Sequence, residues 1–255
     1  MHRKMLRRTC SVAAMEIKPR EIAFSVAIVF VMVALGFLLG SKISDHIAET
    51  NEKFTTAAQI TDDEQFQYAL ATDFGNVIAY GNLVAEQPVS ADDLEGEYAK
   101  LIRITERYTM HTREVTYTDS KGHTHTRTEI YWTWDRVKRE EDSTETFSFM
   151  GVSFPADKFS VSTHRQGSMI YDNSELRHYY EVVDANMVGS IHTQIKDHMI
   201  ADNNRFYTDA EPQAIVNLAI RQGNIAIILF GVLWIALTGG AVYGFCALEN
   251  RWLDG

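Results

Sequence analysis

His123 and His125 stand one residue apart in the stretch TYTDSKGHTHTRTEIYWTW, residues 116–134. Residues two apart on a strand share a face. Imidazole is a common zinc ligand, but a zinc site needs three or four ligands at about 2.0–2.3 Å. The two histidines are therefore the metal candidates of this chain, and they need a third ligand. The nearest further histidine is His111. Asp119-Ser-Lys-Gly122 has turn composition, and its flanks are rich in Thr, Tyr, Val and Trp, so the stretch reads as a β-hairpin. A turn at 119–122 sets Thr118 opposite His123 and His111 opposite Ile130. His111 then lies about seven residues along, roughly 24 Å, and on the other face. Glu114 and Arg127 would stand opposite each other on the histidine face. The expectation is a polar hairpin face with no metal and no cofactor, tied to the core by Trp132 and Trp134.

Other reactive constellations are missing from the sequence. There is no Gly-x-Ser-x-Gly elbow and no phosphate-cradling glycine loop. Both cysteines, Cys10 and Cys246, lie outside residues 41–222, so that segment has no thiol nucleophile and no disulfide framework. His46, His164, His178, His192 and His198 are scattered singly. No motif carries a recognisable reaction, and the chain is expected not to be an enzyme.

The elements that would position any site begin with two apolar runs. Ile22 to Gly40 is 19 residues without a charge, and Ile225 to Leu248 is 24. At about 1.5 Å per residue these reach roughly 28 and 36 Å, against a hydrocarbon core of about 30 Å. The first has no clear small-x-small cleavage site after it, so it reads as an uncleaved anchor rather than a signal peptide. Residues 1–20 hold six basic residues and one acid, Glu16. The positive-inside rule then places the N-terminus in the cytoplasm. Residues 41–222 fall on the far side, with 17 Lys plus Arg against 30 Asp plus Glu, a net charge of −13. Such a surface repels nucleic acid and anionic lipid.

The expected class is an α+β membrane protein with two transmembrane helices flanking a mainly β extracytoplasmic domain. Its parts are a basic cytoplasmic tail (1–21), transmembrane helix 1 (22–40), a helical stalk and capping helix (41–74), the β-rich domain (75–209), a connecting helix (210–224), transmembrane helix 2 (225–248) and a cytoplasmic stub (249–255). Met1 and Met15 are both plausible starts. Within the stalk, Thr61-Asp-Asp-Glu64 is a capping-box pattern before EQFQYALAT, which places Phe66, Ala69 and Leu70 on one face. Strands are expected at NVIAYGNLVAE, at EYAKLIRITERYTMHTREVTY, after the hairpin turn until Glu140-Glu-Asp142 breaks it, at TETFSFMGVSF, and at LRHYYEVVDA and VGSIHTQIKDHMI. Gly36 with Gly40, and Gly240 with Gly244, form small-x-x-x-small patterns that let helices approach closely. They lie at different membrane depths, so each is offered to a partner helix, as in a homo-oligomer. Neither span has an ionisable residue for an ion path.

The order of features resembles the GIDE-type (BAM) domain found between two transmembrane helices of membrane-anchored ubiquitin ligases. The likeness covers residues 75–155 and rests on Gly81, Trp132, Trp134, Phe147 and Phe149. It implies a recognition or assembly domain. The zinc-binding RING that follows the second span in those ligases has no counterpart, because only nine residues follow Cys246 and none is Cys or His. The functional expectation is a non-catalytic membrane-anchored interaction, scaffold or sensing module of a bacterial cell membrane, with the bilayer and a second copy or another membrane protein as partners. The alternatives are an envelope hydrolase with a site built from scattered residues, and an accessory subunit of a channel or transporter.

Overall fold

The computed structural model describes residues 19–253. Residues 1–18 of the basic tail, with the two candidate starts, lie outside them. Helix α1 covers Pro19–Thr55, followed by β1 (Ala58–Ile60) and α2 (Asp63–Ala71). Strands β2 (Asn76–Ala85) and β3 (Val89–Ala91) precede the two longest strands, β4 (Leu94–Thr118) and β5 (Thr124–Ser143). Then come β6 (Thr146–Phe149), β7 (Val152–Pro155), β8 (Phe159–Ser160), β9 (His164–Tyr171), β10 (Leu176–Asp184), β11 (Asn186–Lys196), β12 (Met199–Ile200) and β13 (Asn204–Thr208). Helix α3 (Pro212–Leu253) ends the described chain. Pro212 opens α3, where its missing N–H costs nothing. Two long apolar helices at the ends of the chain flank a mainly β domain, and both are long and apolar enough to cross a membrane.

The chain divides into two compact units. One is residues 1–51 with 219–255, and the other is Glu52–Leu218. In the helical unit, Trp234 Nε1–H donates to the Met32 carbonyl at 2.9 Å. Phe230 stacks on Trp234 with ring centroids 5.6 Å apart.

The β unit has two sheets. One runs β7-β6-β2-β11-β13-β8, with β1 added to β2 and β12 to β11. The other runs β3-β4-β10-β9, with β5 added to β4. The main core lies between them. Phe66, Val77, Leu83, Phe149, Phe154 and Ile191 pack there with Ala99 and Val183 of the second sheet. The other face of the second sheet carries a small cluster, Tyr98, Leu101, Tyr180 and Val182.

Several boundaries differ from those read in the sequence. The stalk ends at Thr55, and β1 and α2 are built into the β domain: β1 pairs in parallel with β2, and Phe66, Ala69 and Leu70 are buried as their shared face predicts. The cap of α2 is Asp62 rather than Thr61, because the Asp62 carboxylate accepts from the Glu64 and Gln65 amides. The connecting helix starts at Pro212 rather than at 210 and runs into the second span as one continuous helix. Glu140, Glu141 and Asp142 do not break β5. They continue it to Ser143, beyond a bulge at Val137 where Thr105 pairs with Lys138 and Glu106 with Arg136.

Candidate functional site

The site grows from the length of β4 and β5. Arg107 is the last β4 residue paired with β10, opposite Leu176. Beyond it, eleven β4–β5 pairs continue, from Tyr108↔Trp134 to Thr118↔Thr124. That is roughly 37 Å of two-stranded ribbon at about 3.4 Å per residue. A ribbon standing alone is only marginally stable in water, so its faces must supply the missing packing.

One face is an apolar stripe. Tyr108 stacks on Trp132 and tilts against Trp134, each at a ring separation of 5.2 Å. At the root, Trp134 meets the edge of Tyr171, and the Arg177 guanidinium lies 4.1 Å above the Trp134 ring. Arg177 also holds Glu106, with Nε and Nη2 at 2.8 and 2.7 Å from one oxygen. The outer end has no such cover: Trp132 is 52% exposed, Met110 51% and Ile130 64%. Trp134 does anchor the hairpin, whereas Trp132 is left to solvent.

The other face is a ladder of charges and rings. His111 bonds Asp135 at 2.5 Å and stacks on Tyr131. Glu129 accepts from Arg113 at 2.9 Å and from Arg127 at 2.6 Å. Arg127 lies over Tyr117, and Tyr117 stacks on His125. Thr133 adds its hydroxyl to Asp135 on the same face.

The two metal candidates end this ladder. Thr118 pairs with Thr124, so the turn is five residues long, Asp119–His123, and His123 lies in it rather than on the strand. The cause is Asp119. Its Oδ1 accepts from the Lys121 and His123 amides, both at 2.9 Å, and Gly122 takes the positive φ of +85° that the turn requires. Oδ2 lies 3.1 Å from His125 Nε2 and 3.4 Å from His123 Nδ1. The His123 amide first, and then His125, hold the Asp119 carboxyl below its usual range. This one-residue change of register flips the pairing parity. His111 stands opposite Tyr131 and shares the face of His125, contrary to the sequence reading, and it is committed to Asp135. Arg127 stands opposite Val115, and Glu129 takes the place expected for Glu114. Among the described residues no group of three or more His, Cys, Asp or Glu is arranged to hold a metal.

The glycine pairs separate as well. A Cβ on Gly36 would stand 2.3 Å from Trp234 Nε1, and one on Gly40 would stand 3.4 Å from Phe230. The chain's own α3 therefore fills that face, which corrects its assignment to a partner helix. Gly240 and Gly244 have no neighbour within 4 Å.

A second polar centre, unmarked in the sequence, sits at the root of the arm. His178, 1% exposed, directs Nε2 at Asp93 Oδ2, 2.7 Å away. Its Nδ1 lies 3.1 Å from Asp172 and 3.3 Å from Arg103 Nη2. Tyr180 donates its hydroxyl to the other Asp93 oxygen at 2.5 Å. Burial, and then this bond, push the Tyr180 hydroxyl up, so it keeps its proton. Tyr180 first holds the Asp93 carboxyl down. Arg103 Nε is buried without a partner. Asp92, Asp93, Arg103, Glu140, Asp142 and Tyr180 line a cleft of about 440 Å³ in front of this network. Both imidazole nitrogens face protein groups, and no nitrogen is left to serve a substrate. The alternation in LRHYYEVV places His178 and Tyr180 on one strand face; their acidic partners come from two separate turns.

Comparison with protein-family models, with curated proteins and with solved structures finds no match to this chain.

Proposed function

We propose that the chain is a two-span membrane protein whose β domain is a non-catalytic interaction module, with the β4–β5 arm as its contact element. The observation that carries this reading is the bare outer stripe, Met110, Ile130 and Trp132, on a ribbon stiffened on its opposite face by paired charges. Exposed aromatics on a pre-ordered element are what protein interfaces use as anchors, since little entropy is lost on binding. The engaged nitrogens of His178 favour a structural rather than catalytic role for its buried network. The resemblance to GIDE-type domains points the same way, toward recognition or assembly.

The partner in this reading is a second copy or another membrane protein, and the open Gly240–Gly244 face supplies a further contact inside the bilayer. Both termini face the cytoplasm, with residues 41–222 outside a bacterial cell membrane. A photo-crosslinking residue at Met110 in the full-length chain, in native membranes, tests the arm. The expected result is a discrete adduct, at twice the chain's mass for self-association, that disappears in Trp132→Ser. No adduct above that of a control at exposed Glu97 would sink the reading. Labelling of Ser120→Cys by a membrane-impermeant maleimide tests orientation: protection in intact cells means the topology is reversed.

A further inference from the structure

The strand β5 that forms the arm also borders a pocket on the side of the main core. Its volume is about 400 Å³, and its floor is Ala99, Phe147, Phe159 and Val183. Phe147 and Phe159 meet edge to face at 5.6 Å and are almost wholly buried, so the floor is rigid. The pocket is at the small end of the range for ligand sites, room for one or two side chains rather than a helix. It opens past Ser143, Thr144, Ala156 and Asp157 onto a shelf that adds Glu141, Asp142 and Glu145.

The charges at this mouth are unlike those elsewhere on β5. Glu129 holds two arginines, Asp135 holds His111, Glu140 holds Lys138, and Glu141 holds Lys100 and Arg139. Asp142 pairs with Leu101 and faces the Arg103 cleft on the other side of the sheet rather than the pocket. Glu145 and Asp157, at the mouth, are exposed, and neither side chain has an ion-pair or hydrogen-bond partner among the described residues. The only lysine lining the pocket, Lys100, is already neutralised by Glu141. An apolar floor beside two uncompensated carboxylates selects against acidic and purely polar occupants. It favours a group with apolar surface and positive charge close together, because long basic side chains lay their methylenes on apolar surface and keep the charged head outside.

We propose that this pocket binds an extended basic–apolar peptide segment of a partner protein, with an apolar or lysine stem over Phe147 and Phe159 and ammonium groups at Glu145 and Asp157. The site is separate from the arm and does not depend on the arm's role.

The test uses the full-length chain in phosphatidylcholine nanodiscs and fluorescence anisotropy of a labelled nine-residue peptide alternating lysine and leucine, with empty nanodiscs as background. The lysine–leucine peptide is expected to bind at least about tenfold more tightly than peptides with glutamate for lysine or serine for leucine. A factor of ten is about 1.4 kcal/mol. Ser160→Trp fills the pocket from its exposed rim, and Glu145→Lys with Asp157→Lys reverses the mouth. Each is expected to weaken binding about tenfold with an unchanged thermal melt. Trp132→Ser, which alters only the arm, leaves peptide binding as in the parent, so failure of one site is distinguishable from failure of the other. Binding no stronger than to empty discs, equal binding of either control peptide, or parent-like binding by both pocket variants would overturn the proposal.

Discussion

Tyr180 and Asp93 show how much depends on one hydrogen bond at the residue scale. The Tyr180 hydroxyl is raised above its usual range and the Asp93 carboxyl is lowered. A raised tyrosine contributes stability that is complete below its unfolded value near 10 and fades as pH rises above it. A lowered carboxylate contributes stability that is complete above its unfolded value near 3.9 and fades as pH falls through the folded one. Tyr180→Phe should therefore cost about 1–3 kcal/mol at neutral pH and flatten the stability profile at both ends, since Asp93 keeps only His178. Thermal melts of parent and variant across pH check this; parallel profiles would mean the bond contributes nothing. The network was not legible in the sequence because its members come from four separate segments, and no spacing rule links Asp93, Arg103, Asp172 and His178. Asp119 marks the opposite limit. The Asp-Ser-Lys-Gly composition was enough to place the hairpin turn, but the carboxylate's bonds to the Lys121 and His123 amides lengthen it by one residue, and that one residue moves His111 to the other face.

At the scale of elements, the arm and the helix pair are each held by a small number of contacts. Arg177 joins β10 to the arm through Glu106 and the face of Trp134. A cation–π contact with partial desolvation is worth about 0.5–2 kcal/mol, so Arg177→Ala should lower domain stability by about 1–3 kcal/mol. Its local signature is faster amide exchange at Tyr108 and Trp134 than in the parent, and unchanged exchange there would show that the stripe holds itself. In the helix pair, Gly36 leaves the space that Trp234 occupies. Gly36→Ala must push the indole off the Met32 carbonyl. The expected readout is a shift of Trp234 fluorescence and loss of a disulfide engineered between the two helices, neither of which Gly240→Ala should produce. The strands themselves were readable from alternation in β2, β4, β10 and β11. β5 past Asp135 was not, since a bulge and a run of three acids hide a strand in which Lys138 pairs with Glu140 and Arg139 with Glu141 along the strand, and Lys100 reaches Glu141 across the ladder.

For the whole molecule, the clearest sequence signal was the segregation of two uncharged runs from an acidic middle, and it corresponds to the two long apolar helices and the β domain between them. What the sequence did not mark is that Lys53 and Phe54, at the end of α1, pack within the β unit. Phe54 stacks on His192 with centroids 4.3 Å apart. His192 Nε2–H points at Asn76 Oδ1, 2.8 Å away, and at the Lys53 carbonyl, 3.2 Å away, while Asn76 Nδ2 donates to the same carbonyl. Burial is the main force that holds the His192 imidazolium below its usual range. In the unfolded chain this histidine protonates near 6.5. Stability from the His192 cluster is then complete above that value and falls as pH drops toward the folded one. Melts of the full-length chain should lose stability between pH 7 and pH 5, and His192→Gln should remove part of that loss while costing stability at pH 7 through the missing ring stack. If the variant and the parent lose stability equally over this range, the acid sensitivity resides in the carboxylates of the domain and not in the His192 cluster.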